Sequence, residues 1–488
     1  MQAVRSDPAE AFRPRDVIAV LILLAVILGM LGIPNSIGAT VVLMGTGILL
    51  ALIAPAVMVS LVVMTVPVQD SVVLPFFRGE LTLTQIAVSA MIVGWVMALR
   101  RYRVWLDSIT LGFLAIGAAF LVSFIATDDL GLWAGEVYRW VIAAVFFVIC
   151  RSVLRDWQSV RAVLVAIAAS VSAVGAYGIG QISAYRSGDL VVGGVLRVFA
   201  TFGKPNPLAA YIEFTLPVLL LLVLLGFQRH FRQRIGTMLW LLSGFATGMG
   251  IVILTLTQSR GGMLGFAAGT LIILMVLPVR LRLAAIGTGL LLVAIMATTP
   301  SGQSQLERFG DALSESEQVQ TGSTFNYGTG RSAIWATGSR MFEDEPWTGV
   351  GAGEFDYHYR EYAAVWYDRF PIGQAHNGWL QMGAQAGIPG VLAFTGWVAA
   401  ALVSLIGAVR RSIDPRSRAL ALGALAIMIA FTVHSLVDYL NVLSLGLQLS
   451  CVLAIGLNLA PDPLNCAHGK HATGPSMSVA VPLEAEPA

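Results

Sequence analysis

Long apolar runs separated by short polar connections dominate the chain from position 17 to position 460. A helix needs about 20 such residues to cross the hydrocarbon core of a bilayer. The runs fall at 17–33, 36–53, 55–67, 81–99, 108–127, 140–154, 159–181, 208–227, 236–256, 261–279, 283–298, 389–408, 417–434 and 440–460. Lipid offers a backbone amide no partner, so each run is predicted to be a helix. The third run is short, follows Pro55 and suits a tight hairpin with the second, which gives about twelve to fourteen spans. The pattern therefore predicts an all-α polytopic membrane protein. A segment at 1–16 leads into a bundle over 17–298. A large loop covers 299–388, more membrane helices cover 389–460, and a disordered tail covers 461–488. The first run is too long for the apolar stretch of a cleavable signal peptide and is followed by more of the same. No internal repeat is evident.

Composition agrees. Of 488 residues 57% are apolar and 12% charged, about half the charged fraction of a soluble domain. Mean hydropathy is +0.78. A formal net charge of +2 excludes a strongly basic nucleic-acid binder. Cys150, Cys451 and Cys466 lack metal-ligand spacing. The first two read as small buried hydrophobes. Cys466 near His468 and His471 makes a weak metal case.

The arginines set the orientation. Arg5, Arg13 and Arg15, then Arg100, Arg101 and Arg103, then Arg151, Arg155 and Arg161 occupy alternate connections. Arg229, Arg232 and Arg234, then Arg280 and Arg282, then Arg410, Arg411, Arg416 and Arg418 continue the alternation. With fourteen spans all share one side, which the positive-inside rule makes cytoplasmic. Both termini are then inside, and the loop 299–388 lies outside.

That loop differs from the rest. Ser301 to Gly328 is rich in Ser, Gln, Gly, Glu and Thr and reads as a mobile surface stretch. Beyond it come Trp335, Phe342, Trp347, Phe355, Tyr357, Tyr359, Tyr362, Trp366 and Tyr367 among Arg, Asp and His. The mixture suits a carbohydrate or headgroup surface, and equally a loop lying at the membrane interface, where Trp and Tyr gather. Gly330 to Arg340 reads as a helix, with Thr329 as a possible cap and Glu345-Pro346 as its stop.

Polar groups at membrane depth are where chemistry is to be sought. Gln258-Ser259-Arg260-Gly261-Gly262 opens the tenth span from the outer face. There a guanidinium and backbone N–H groups suit an anion; taken alone, Arg260 is more simply a snorkelling interfacial residue. Phe202-Gly203-Lys204-Pro205-Asn206-Pro207 opens the eighth span. Asn206 suits its cap and Lys204 is a second outer cation, or the segment is only a capped helix start. His376 beside the bilayer suits a general base, though a lone histidine is more often structural. Gly387-Ile388-Pro389-Gly390 supplies a helix break and start, and His434, Ser435 and Asp438 cluster at the outer end of the thirteenth span, where they orient a substrate group or, more simply, cap the helix. Gly349-Val350-Gly351-Ala352-Gly353 lacks the strand and helix of a phosphate loop and reads as a flexible turn. Asp128-Asp129 are two acids without further ligands.

Jointly, these segments resemble the bacterial O-antigen ligase and O-antigen polymerase superfamily of membrane glycosyltransferases. In its ligases the last large periplasmic loop ends with His, then Asn, Ser or Gln, nine residues, Gly, two residues, and Gly, Thr or Tyr. His376-Asn377, Gly387 and Gly390 match in full. Gly328-Thr329-Gly330-Arg331 through Trp335, Phe342, Pro346, Gly349, Gly351 and Gly353 is similar to the upstream loop signature. Arg260 to Leu264 resembles an Arg-three-residues-Leu element, and Phe202 to Pro207 is also similar to the family's pattern. The resemblance covers roughly residues 195–440.

The resemblance implies a GT-C-like membrane enzyme of the bacterial inner membrane with its active face in the periplasm. Such an enzyme moves a glycan from a polyprenyl diphosphate carrier to an acceptor hydroxyl, on lipid A–core or a growing glycan. Arg260 first, then Arg331 and Lys204, would hold the diphosphate. His376 would take the acceptor proton, and Asn206 and Asn377 complete the substrate-binding candidates. The implied donor is already activated, so neither metal nor cofactor is expected, and membrane lipids are the remaining partners. A polymerase of the same superfamily is the alternative. A polytopic transporter or flippase is the alternative from another class, but it should place ionisable groups mid-span and pair broken helices.

A reporter active only outside the cytoplasm should be active when fused after Gln320 and silent after Arg232 or Arg411. Activity after Arg232 would overturn the orientation.

Overall fold

The computed structural model describes residues 37–69, 73–76, 79–104, 106–184, 191–192, 195–298, 303, 330–363, 373–442 and 444–460. The expected span at 17–33, the segment 1–16, nearly all of 301–328, Trp366, Tyr367 and the tail from Pro461 with Cys466, His468 and His471 lie outside these residues.

The described chain is almost wholly helical. Its helices are α1 (Ile37–Ile53), α2 (Pro55–Thr65), α3 (Leu83–Met97), α4 (Ser108–Ser123), α5 (Leu130–Val153) and α6 (Trp157–Ala184). There follow α7 (Pro205–Glu213), α8 (Leu216–Gly226), α9 (Arg229–Ile235), α10 (Thr237–Leu256), α11 (Arg260–Val276) and α12 (Val279–Ala297). The C-terminal part holds α13 (Gly330–Asp344), α14 (Phe355–Tyr362), α15 (Gly378–Arg411), α16 (Pro415–Ser435) and α17 (Leu445–Asn458). Two short antiparallel ribbons, Val73–Phe76 with Gly79–Thr82 and Val191–Val192 with Val195–Leu196, are the strands among the described residues. Among the described residues, seven helical segments are long and apolar enough to cross a membrane, and five shorter apolar helices accompany them. The chain is an all-α polytopic membrane protein.

Local chemistry fixes the helix starts. Thr82 and Gln85 form a reciprocal capping box before α3. Asp107, Asp129, Ser259 and Asn377 each accept a backbone N–H at the start of α4, α5, α11 and α15. At Ala54 the chain folds back, so that the Met58 side chain lies against Gly47, as the short third run suggested.

Among the described residues, four of the connections near the arginines meet at one end of the bundle. Arg151 Nε donates to Asp107 at 3.1 Å, and Arg234 pairs with Asp414 at 3.0 Å. The Arg416 guanidinium sits 5.0 Å from the Trp157 ring centroid. The starts of α7 and α11, the loop helices α13 and α14, and the α16–α17 connection lie at the other end. Between the ends runs an aromatic core. Trp397 lies 5.3 Å from Phe113, 5.7 Å from Trp140 and 5.6 Å from Phe431, centroid to centroid.

Two helices are broken, one where the sequence predicted a single span and one at the break expected from Gly387 to Gly390. The eighth run divides into α7 and α8. Pro217, at the second position of α8, has no N–H to continue the ladder and its ring crowds the carbonyl four residues back. The Thr215 hydroxyl takes up released carbonyls, reaching Ile212 O at 2.8 Å and Tyr211 O at 3.2 Å. The twelfth run begins earlier than its expected start at 389: α15 starts at Gly378 and is interrupted by non-helical Ala386 and Gly387, with Pro389 following. Into that break docks the turn after α13, where Ile388 N donates to Pro346 O at 2.7 Å and Val350 N to Ala384 O at 2.8 Å.

A seam of small residues joins α11 to α16. Gly261, Gly265 and Gly269 recur every fourth residue, as in membrane helices whose backbones approach closely. A Cβ on Gly269 would lie 2.5 Å from Ala426 O, and one on Gly265 2.8 Å from Ala430 O. Gly269→Leu should therefore separate these helices and destabilise the protein by about 2–3 kcal/mol, as overpacking does. Thermal melting in detergent, against a lipid-facing Leu271→Ala control, should show the loss for Gly269→Leu alone.

Candidate functional site

The site assembles around one carboxylate in the connection after α16. Asp438 is 2% exposed. Its Oδ1 accepts from Gln374 Nε2 at 3.1 Å, from its neighbour Tyr439 N at 2.9 Å and, with Nδ1 carrying the proton, from His376 at 2.8 Å. Its Oδ2 accepts from Asn206 Nδ2 at 2.7 Å. Burial raises the pKa of this carboxyl, but the hydrogen bond and charge of His376 and the charges of His434 and Arg331 outweigh burial and hold it below the usual carboxylate range.

His376 sits just before α15 with φ of 49°, a left-handed conformation unusual for a side chain other than glycine. Its neighbours enforce that geometry. The His376 carbonyl accepts from Trp335 Nε1 at 3.3 Å. Asn377 caps α15 through Leu380 N at 3.0 Å and donates to Leu436 O at 3.0 Å, which ties the end of the loop to the turn that carries Asp438. The His376 ring keeps 29% exposure over a carboxylate that is almost fully covered.

Both candidate guanidiniums come to this end. Arg260 is the first residue of α11, beside the N–H of Gly262 that Ser259 caps. Arg331 lies in the first turn of α13. Burial pushes the Arg331 pKa down, the Asp438 charge acts against that, and the like charge of Arg260 adds to the lowering. Arg331 thus feels Asp438 and Arg260 together.

Lys204 and Asn206 are placed differently from each other. Lys204, not Asn206, occupies the cap position of α7, without a side-chain capping bond, and is exposed. With Pro205 already at the first helical position, Asn206 falls inside the first turn and turns its amide to Asp438. The Asn206 Oδ1 accepts from Arg197 Nη2 at 2.9 Å, and Arg197 Nε donates to Thr257 O at 2.9 Å. Arg197 carries no motif and was missed in the sequence. The resulting chain of bonds runs from Thr257, three residues before Arg260, through Arg197, Asn206 and Asp438 to His376.

His434 and Asp438 stand at the end of α16 as expected, but their side chains pair across the fold and do not merely cap the helix. His434 Nδ1 lies 2.6 Å from Glu213 Oε2, with both side chains at most 1% exposed. Glu213 was also missed, because one carboxylate in an apolar run offers no spacing to read. The break at Pro217 brings it to the end of α7. Gly261 and Gly265 leave room for the pair: a Cβ at Gly261 would lie 2.7 Å from His434 Nε2, and one at Gly265 would strike Glu213 Oε1.

The Gly349–Gly353 segment is a docking turn, not a flexible one. All three glycines have φ between 62° and 109°, which L side chains rarely adopt. Cβ atoms at Gly349 and Gly353 would strike the backbone at Gln385 and Leu132. Asp128 likewise has neighbours that its local sequence does not reveal, since Glu354 and His358 lie beside it.

Residues 245–395 match the family model described as O-antigen ligase. The matched stretch contains Arg260, Arg331, His376, Asn377, Gly387 and Gly390, and leaves Lys204, Asn206 and Asp438 outside it. No curated protein sequence matches the chain.

Because folding lowers the Asp438 pKa, the stability it contributes is complete above the unfolded aspartate value of about 3.9 and is lost as pH falls through the lower native value. Asp438→Asn should remove that acid-side dependence. Melting curves of parent and variant that stay parallel from pH 6 to pH 2 would refute the assignment.

Proposed function

We propose, from the premise that residues 245–395 are an O-antigen ligase domain and the chain a membrane enzyme of the O-antigen ligase and polymerase type, that it ligates a glycan from a polyprenyl diphosphate carrier to an acceptor hydroxyl at the periplasmic face of the bacterial inner membrane. The observation that carries this reading is the juxtaposition of a carboxylate-held imidazole with two guanidiniums: His376 on Asp438, and Arg331 within electrostatic reach of both Asp438 and Arg260.

Each group has a role in that transfer. The acceptor hydroxyl attacks the anomeric carbon, forming the new glycosidic bond as the bond to the diphosphate breaks. His376 Nε2 takes the hydroxyl proton, while Nδ1–H stays on Asp438, which fixes the tautomer and stabilises the imidazolium that forms. Arg260 and Arg331 meet the charge that develops on the departing diphosphate, with Lys204 at the entrance. Asn206 and Asn377 act as the frame of the base, one holding Asp438 and the other holding the turn before α15. With side chains supplying the positive charge at the diphosphate, the transfer step itself calls for no metal.

The test separates the two roles. His376→Ala should bind the lipid-linked donor as the parent does and lose transfer by about 10²–10⁴-fold, the usual contribution of a general base. Arg260→Ala should lose donor binding together with turnover. Arg260→Lys should rescue poorly, since an ammonium keeps the charge and loses the forked N–H geometry. Binding in nanodiscs alongside transfer by purified protein decides it. Unchanged donor affinity in Arg260→Ala, or full transfer by His376→Ala, would sink the assignment.

A further inference from the structure

Away from the transfer site, the loop helix α14 meets the turn before α5 through a cluster of unlike groups. Glu354 precedes α14 and is fully buried. His358, one turn on, points Nε2 at Glu354 Oε2, 3.3 Å away, and at Asp128 Oδ2, 3.6 Å away. Its Nδ1 lies 3.1 Å from Glu361 Oε2. The three donor atoms of Asp128, Glu354 and His358 all lie within 4.8 Å of one another.

Hydrogen bonding alone accounts poorly for this arrangement. With the ring proton on Nδ1 facing Glu361, Nε2 turns a lone pair toward two carboxylates. If both nitrogens are protonated, the bonds from Nε2 are too long, since a charge-assisted N–H···O contact is about 2.7–2.9 Å. Four-coordinate zinc held by bonds of about 2.0–2.2 Å sets neighbouring ligand atoms about 3.3–3.6 Å apart, the separations found around Nε2. Charge points the same way. Among the described residues the basic group in ion-pair contact with buried Glu354 is His358 alone, and that ring already faces two further carboxylates.

We propose that Asp128, Glu354 and His358 bind a divalent transition-metal ion of the zinc class, one nitrogen and two carboxylate ligands with an open position toward solvent. The outer shell is in place. Glu361 fixes the tautomer of the histidine, as a carboxylate behind a metal-bound imidazole does. The Glu354 oxygens are oriented by Asp129 N at 2.8 Å and Asp128 N at 3.0 Å. Asp128, whose side chain is 60% exposed, gives the ion its way in. The ion would pin the glycine-rich docking turn and α14 to the start of α5, a structural site separate from the transfer chemistry.

The test uses purified full-length protein, with zinc as the probe. After equilibration with zinc and removal of the excess, the parent should retain about one ion per chain at this site and melt several degrees higher than after chelation. Asp128→Asn alters an exposed group and should fold normally. It and His358→Ala should lower zinc affinity by at least about 10-fold and abolish the zinc-dependent shift in melting. Zinc retained equally by the parent and Asp128→Asn would belong elsewhere in the chain and overturn the proposal. A parent whose melting ignores zinc and chelator but varies between pH 5 and pH 8 would assign the cluster a proton in place of the ion, and would overturn it as well.

Discussion

A buried carboxylate inside an apolar bundle must be met from every side, and Asp438 organises its end of the molecule by that requirement. An unpaired charge there would be held at a penalty of several kcal/mol. Both oxygens are instead occupied by groups from two distant segments, Asn206 of α7 and Gln374 with His376 at the end of the loop, and by the N–H of the adjacent Tyr439. Arg197 extends the same network to Thr257, just before Arg260. His376, the amides that frame it and the approach to Arg260 therefore form one connected structure.

Helix interruptions supply the positions that this network needs. An unbroken helix offers no backbone groups for loops to bind. The break at Ala386 and Gly387 exposes an amide that Pro346 O takes up, and it admits a backbone that a Cβ at Gly387 would meet at 2.5 Å. The break before Pro217 likewise lets α7 end on Glu213, opposite His434. Irregular backbone at membrane depth is tolerated where protein covers it, and in both places protein does.

The sequence made the helices legible because lipid imposes a long and nearly uniform apolar signal. Thirteen of the predicted runs coincide with described helices or pairs of helices. Arg260, Arg331 and His376 stood out through motifs, and all three lie within the stretch that matches the family model. Asp438 was visible only as a polar residue near a helix end, and Glu213 and Arg197 not at all. Their positions depend on pairings across about 200 residues of chain, such as His434 with Glu213 and Asn206 with Asp438, and no local spacing encodes those. The glycines at 349, 351 and 353 were misread for the same reason: the backbone they approach lies at Gln385, Thr127 and Leu132.

The glycine seam also bears on how a ligand is received. Gly261, Gly265 and Gly269 have no rotamers, so the register of α11 against α16 is set by backbone contact with Ala426, Ala430 and the rigid ring of His434. Nothing in that contact softens when neighbouring side chains move. The root of Arg260 is therefore in place before any anion arrives, and little backbone freedom remains to be surrendered on binding. A pre-organised guanidinium spends less of its attraction on ordering itself. Binding at this end should therefore carry a smaller entropic penalty than binding to a mobile loop would.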